Sequence, residues 1–489
     1  MGVSATMSSI SVDISSLLAL AAALLHLLGA AAAVHVLMCG RTAQGTIAWM
    51  IALIALPYVA LPLYLILGGH KFRAYLEARR SYKETLHLLV RGLLLDEAKK
   101  ATAVADLPAD LRALQALGGM AFTRGNDAEL LINGDATFAA IFAGIDAAER
   151  YVLVQFFIIR DDGLGRALQR RLIAKAEAGV AVYLLFDDVG CSGLPTAYLA
   201  ALRSAGVRVC PFNGPRSGGW LMRRLRLNFR NHRKVVVVDG RKAWVGGHNV
   251  ADEYLGKNPQ LSPWRDTHVA VTGPAAVACQ LSFAEDWHWA TRDLPELDWR
   301  FHYAPAGDKA VLALPSGPSD SLDTCALAFC QAIERARRRV WIVSPYFVPD
   351  DAVLAALQLA ALRGVDVRVL LPARPDHVLV WLASFSFLEE TDAVGVKIHH
   401  YQQGFLHQKV VLVDDDLASV GTANFDNRSF VINFELTLFF ADRAFAAEVE
   451  RMLEADFALS RRVTAADVQR RPLYFRVGAR LCRLLAPLL

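Results

Sequence analysis

The sequence predicts an α/β protein made of two related domains behind an N-terminal two-helix transmembrane hairpin. Three observations predict it. A five-residue pattern occurs twice at one spacing, an order of helices and strands occurs twice around it, and two long uncharged runs precede both. The divisions read from these are 1–70 for the hairpin and 71–130 for a linker and lead-in. The domains follow at 131–305 and 306–460, then a basic amphipathic tail at 461–489.

A chain of 489 residues holds two domains with cores of their own. Its 54% hydrophobic content is high for a purely soluble protein, as is a mean hydropathy of +0.30. The net charge of +4 is too small for wholesale nucleic-acid binding. Seven cysteines, an odd number with no Cys-x-x-Cys pair, point to reduced thiols rather than a disulfide framework or zinc site.

Residues 14–38 and 46–68 each carry no charge and are long enough to cross a bilayer core. A signal peptide fits the first run poorly, because no Lys or Arg precedes it and no small-x-small cleavage site follows. Lys71, Arg73, Arg79, Arg80 and Lys83 flank the second run, which puts that side and the N-terminus in the cytoplasm. Pro57 and Pro62 predict that the second span is kinked or partly interfacial.

From Asn133 the pattern alternates. A helix over 139–149, a strand over 151–159, a helix over 164–179 and a strand over 180–186 are expected. The same order returns with a helix over 332–338, a strand over 340–343, a helix over 352–364 and a strand over 365–371. A repeat of this length implies two domains facing each other across a pseudo-twofold axis. The first copy carries a basic insertion, Arg216 to Arg230, where Arg alternates with large apolar residues. Both it and the Arg-rich tail 470–489 are candidates for contact with anionic lipid.

The repeated pattern is His232, Lys234, Asp239, Gly246 and Asn249, then His407, Lys409, Asp414, Gly421 and Asn424, all at an offset of 175. The intervening Val-rich runs read as buried strands. His and Lys, two apart, share a face. Each Asp lies an odd number of residues beyond the Lys, so parity assigns it a structural hydrogen-bonding role. Two copies would bring two imidazoles, two ammonium groups and two amides to one cleft, a set suited to a phosphodiester. One neutral imidazole can attack phosphorus while a protonated one hands its proton to the leaving alkoxide. No metal or other cofactor is required. Asp266 and Glu435, each heading a hydrophobic strand, are the candidates to orient the histidines.

These residues resemble the phospholipase D superfamily, whose signature is His-x-Lys-x4-Asp-x6-Gly-x2-Asn. The flanks Asn228 to His232, Pro263 to Thr267, Pro345 to Asp350 and Gly421 to Phe430, with the double span, resemble the bacterial cardiolipin synthase group. The resemblance implies a mixed sheet flanked by helices in each half, catalytic motifs at His232, Lys234, Asp239 and at His407, Lys409, Asp414, and a phosphohistidine intermediate. His232 would be nucleophile and His407 acid, then base, although sequence symmetry does not separate them. Asn249, Asn424, Gly246 and Gly421 would hold or support the phosphate, with Ser429 a helper. One phosphatidylglycerol would pass its phosphatidyl group to another, giving cardiolipin and glycerol at the cytoplasmic face of a bacterial inner membrane. Hydrolysis, or transfer to a different alcohol, uses the same residues. Gln403, Gln408 and a third imidazole, His248, depart from the usual pattern. Anionic membrane lipid is the expected partner, not nucleic acid.

Overall fold

The computed structural model describes residues 14–39, 43–68, 103–104, 107–213, 229–299 and 307–486. The basic run after Gly68 and most of the 216–230 insertion lie outside them.

The N-terminal unit holds three helices, α1 (Ile14–Cys39), α2 (Ala43–Ala55) and α3 (Pro57–Leu67). Among the described residues, only α1 is long and apolar enough to cross a membrane as one helix. The second expected span takes the form of two shorter helices. Pro57 lacks an N–H and forces the residue before it out of helical geometry, and Leu56 sits at φ −136°. Hydrogen bonding resumes at once, Leu56 N donating to Ala52 O and Ala60 N to Leu56 O, so the break is a kink. Gly29 lets α1 approach α2, since a Cβ there would lie 2.4 Å from Leu53 O.

The body of the second unit is organised on one fifteen-stranded sheet. In the first half its strands are β1 (Thr123–Ile132), β2 (Tyr151–Phe156), β3 (Ala181–Phe186), β4 (Arg208–Pro211), β5 (Val235–Val238), β6 (Lys242–Gly246) and β8 (Thr267–Thr272), with the short β7 (Trp264–Arg265) outside it. The second half supplies β9 (Lys309–Ser316), β10 (Arg339–Val343), β12 (Asp366–Pro372), β13 (Lys397–Tyr401), β15 (Val410–Val413), β16 (Leu417–Gly421), β18 (Glu435–Phe440) and β19 (Ser460–Val463). Away from the antiparallel pair β1–β9, one direction reads β1-β8-β6-β5-β2-β3-β4 and the other β9-β18-β16-β15-β10-β12-β13. Strand for strand the two halves correspond, as the repeat predicts.

The lead-in reading of 71–130 ends too late. Helix α4 (Ala109–Gly118) and β1 belong to the body, because Leu111, Leu114 and Phe122 enter its core and β1 pairs with both β8 and β9. The tail is likewise docked through β19, which pairs with β13.

Val235 and Val237 of β5 face one hydrophobic core, Val236 and Val238 the other. Alternating side chains of a strand covered on both faces are all buried. At roughly 1.5–3 kcal/mol for each buried valine, apolar burial is the dominant force holding the motif strands in register.

Candidate functional site

Each histidine lies just before a central strand of its own half, β5 for His232 and β15 for His407. Both segments are then stitched to the opposite half. His232 N donates to Phe434 O at 3.0 Å and Phe434 N to Arg230 O at 2.8 Å. In the mirror arrangement His407 N donates to Arg265 O at 2.8 Å, and Phe405 N to Pro263 O at 3.0 Å.

That stitching crosses the acids over. Glu435, at the start of β18 in the second half, accepts from Nδ1 of His232 at 2.9 and 3.0 Å. Asp266, between β7 and β8 in the first half, accepts from Nδ1 of His407 at 2.7 Å. With each Nδ1 committed to a carboxylate, Nε2 is the ring nitrogen left for chemistry on each side. Lys234 and Lys409 fold back so that Nζ donates to the carbonyl of their own histidine, His232 at 2.7 Å and His407 closely as well.

All six groups lie within electrostatic reach of one another, and all are buried. Burial lowers His232 to about 4 despite the opposing pull of Glu435. His407 is held well below the ordinary histidine range by burial, then by Lys409. Burial also depresses both lysines, Lys409 to about 8 and Lys234 well below its usual value. A phosphodiester entering this cluster adds a negative charge beside these depressed histidines and lysines.

The remaining expected residues make contacts of their own. Asp239 and Asp414, counted with the catalytic motifs, stand at the far ends of β5 and β15 in left-handed backbone, φ +53° and +50°. Asp239 accepts from the N–H groups of Glu149, Arg150 and Tyr151. Asp414 does the same for Arg337, Arg338 and Arg339. Both anchor the turn before a neighbouring strand.

Asn249 is engaged by the protein, its Oδ1 accepting from Ile158 N and its Nδ2 donating to Tyr254 Oη. Asn424 differs, since its buried Oδ1 has no hydrogen-bond partner among the described residues. Ser429 accepts from Asn424 N and donates its own N–H to Asp426, so it shapes the loop. Gly246 and Gly421 make room for neighbouring strands, where a Cβ would lie 2.5 Å from Thr267 O and 2.7 Å from Leu436 O. His248 is buried against His268, Nδ1 to Nδ1 at 3.0 Å.

Sequence reasoning missed the groups that hold the acids. Thr422 Oγ1 donates to Glu435 Oε2 at 2.6 Å. The equivalent position in the first half is Gly247, where a Cβ would meet Asp266 Oδ1 at 2.0 Å. A hydroxyl thus steadies one acid while a missing side chain admits the other. Trp264 packs on His407 with ring centroids 5.2 Å apart, and Phe157 on His232 at 5.1 Å. Position 422 was legible in the motif offset; the two aromatic walls carried no local signal.

A family model described as "Cardiolipin synthase, PLD-like domain" matches residues 141–267 and 329–457. A second, "Phospholipase_D-nuclease N-terminal", matches 27–69. The chain is 52% identical over 470 residues to cardiolipin synthase A of Pseudomonas entomophila, covering 95% of this chain and 97% of that one. It is 53% identical over 472 residues to cardiolipin synthase A of Pseudomonas putida, with the same coverage. Among solved structures, phosphatidylserine synthase of Haemophilus influenzae superposes with a TM-score of 0.57 at 14% identity, covering 78% of this chain and 100% of that one. At that identity the likeness speaks for the fold.

Proposed function

The chain belongs to the cardiolipin synthase family of phospholipase D-like enzymes, and from that premise we propose that it joins two phosphatidylglycerol molecules through a phosphohistidine on His232. It is a phosphatidyltransferase of the phospholipase D type, associated with a membrane.

His232 Nε2 attacks the phosphorus of the first phosphatidylglycerol. The bond from phosphorus to the headgroup glycerol oxygen breaks, and His407 Nε2–H gives its proton to that oxygen, releasing glycerol. A headgroup hydroxyl of a second phosphatidylglycerol then loses its proton to His407 Nε2 and attacks phosphorus. The phosphorus–nitrogen bond breaks, His232 is regenerated and cardiolipin leaves. Lys234 and Lys409 stabilise the charge gathering on the non-bridging oxygens. Glu435 and Asp266 hold the two rings in the reacting tautomer and support each imidazolium as it forms.

The crossed pairing of each histidine with an acid of the other half carries this reading. It makes one two-imidazole site out of two domains. The run of Lys71, Arg73, Arg79, Arg80 and Lys83 favours a cytoplasmic catalytic body behind two membrane crossings.

The test is purified protein with phosphatidylglycerol in mixed micelles, with chelator and no nucleotide. Cardiolipin and free glycerol in equal amounts are expected. Phosphatidic acid as the main product would sink the transfer reading in favour of hydrolysis. Activity surviving in His232→Ala or His407→Ala would remove the mechanism.

A further inference from the structure

The C-terminal helix Leu473–Arg483 has two apolar stripes where a surface helix needs one. The inner stripe is satisfied. Ala479 and Cys482 are buried, and the Phe475 ring packs edge-on against Trp381 and Phe385 of the helix Val378–Phe385, centroids 5.9 and 5.1 Å apart. Tyr474, Val477, Leu481 and Leu484 recur at helical spacing on the other side, 79%, 47%, 58% and 75% exposed. Leu473 is exposed as well, and the supporting helix adds exposed Val378 and Leu379 at its own start.

The charges carried by this segment itself, from Gln469 onward, have one sign. Arg470, Arg471, Arg476, Arg480 and Arg483 lie on or beside the helix, and no Asp or Glu follows Asp467. Arg483 is held by Glu390 at 2.6 Å and Arg480 lies 3.5 Å from Glu389. Arg470 and Arg471 are exposed at the start of the helix. An apolar stripe rimmed by arginines suits the boundary between anionic headgroups and acyl chains.

The face also adjoins the reacting centre. Two residues before Val378 stands Asp376, whose carboxylate accepts from Tyr346 Oη at 2.6 Å. The charge of Asp376 acts on both His407 and Lys409.

We propose that the paired helices 378–385 and 473–483 form a bilayer-docking face that rests on anionic phospholipid and presents headgroups to the site beside Asp376. The inference rests on the phosphatidyltransferase reading and adds where the lipid surface is met. An N-terminal anchor keeps the chain at the membrane; this face sets which side of the body meets it.

The test compares full-length protein with Leu481→Glu, with Tyr474→Ser/Leu484→Ser, and with Arg470→Glu/Arg471→Glu, none of which touches the catalytic groups. Each is assayed on long-chain phosphatidylglycerol in reconstituted vesicles and on a short-chain phosphatidylglycerol below its critical micelle concentration. The expected result is a loss of at least tenfold in vesicles, with dispersed-substrate turnover within twofold of wild type. The arginine pair should lose its effect in high salt, where surface attraction is screened. Equal losses in both assays, no loss in either, or a change of oligomeric state in detergent would overturn the proposal, the last in favour of a contact between copies. If wild type makes phosphatidic acid rather than cardiolipin, the acceptor reading fails, while the ratio of vesicle to dispersed turnover still judges the docking face.

Discussion

At the residue scale the protein is a pair of imidazoles held by carboxylates that come from elsewhere in the chain. Glu435→Gln keeps a hydrogen-bonding side chain near His232 but removes the charge that supports the imidazolium and can turn the ring to the wrong tautomer. By analogy with other oriented histidines, kcat should fall by roughly 10³–10⁴-fold, with Asp266→Asn close behind. Steady-state cardiolipin formation measures both. Gly247→Ala brings a Cβ to within 2.0 Å of Asp266 Oδ1, so the acid must move. A loss of kcat well beyond that of Thr422→Val is expected, since the latter leaves Asp266 and Glu435 in place and removes hydroxyl hydrogen bonds to Glu435 and from Leu436 N, each worth about 1–3 kcal/mol.

Protonation belongs to this scale too. Burial keeps both histidines below their usual range, so both rings are neutral in the free site near pH 7. A bound phosphate anion favours the protonated forms of His and Lys alike. Inorganic phosphate or vanadate binding at pH 7 should therefore take up protons, seen by calorimetry as a binding enthalpy that varies with buffer ionisation enthalpy. Proton release would contradict this reading of the cluster. Stability follows from the same shifts. The folded-state value of His232, about 4, lies below the unfolded value of about 6.5. The unfolded chain therefore binds more protons between those values. The folded state loses up to about 1.4 kcal/mol per pH unit per such histidine as pH falls through that window. Thermal unfolding in detergent between pH 7 and 4.5 reads it.

At the scale of elements, the two motif aspartates explain why a catalytic signature includes residues that never meet the reacting atoms. Each ties three consecutive N–H groups at the start of β2 or β10 to the end of the motif strand. Asp239→Ala should lower stability by about 2–4 kcal/mol, because buried donors lose their acceptor. The turnover of the folded fraction should stay within a few-fold of wild type. Thermal melts paired with active-site-normalised rates separate the two effects. Strand parity made this assignment legible beforehand, as prolines 57 and 62 made the kink after α2 legible. The boundary at 131 was misjudged because β1 reads Thr-Arg-Gly-Asn-Asp-Ala-Glu, polar in five of its first seven places. Its strand state comes from pairing with β8 and β9, a tertiary effect that overrides local preference.

At the scale of the whole molecule, the repeat in the sequence showed two half-sites and named both acids, but not which acid serves which ring. Nothing local encodes the crossing. It arises where the segment before β5 meets the segment before β18, some two hundred residues away in the chain, with its mirror image at β7 and β14 (Phe405–Leu406). Neither half alone can then hold an oriented histidine. A mixture of His232→Ala and His407→Ala proteins should stay inactive, because each chain carries one whole site and has lost one of its imidazoles. Recovered activity on mixing would point to a site shared between chains.

The covalent intermediate tests the central claim most directly. Enzyme quenched in acid-free denaturant during turnover of phosphatidylglycerol, then digested and mass-analysed, should carry one phosphatidyl group on the imidazole of His232 and none on His407. Cardiolipin formation with no phosphatidyl group on either imidazole, or an adduct on His407 alone, would contradict the account.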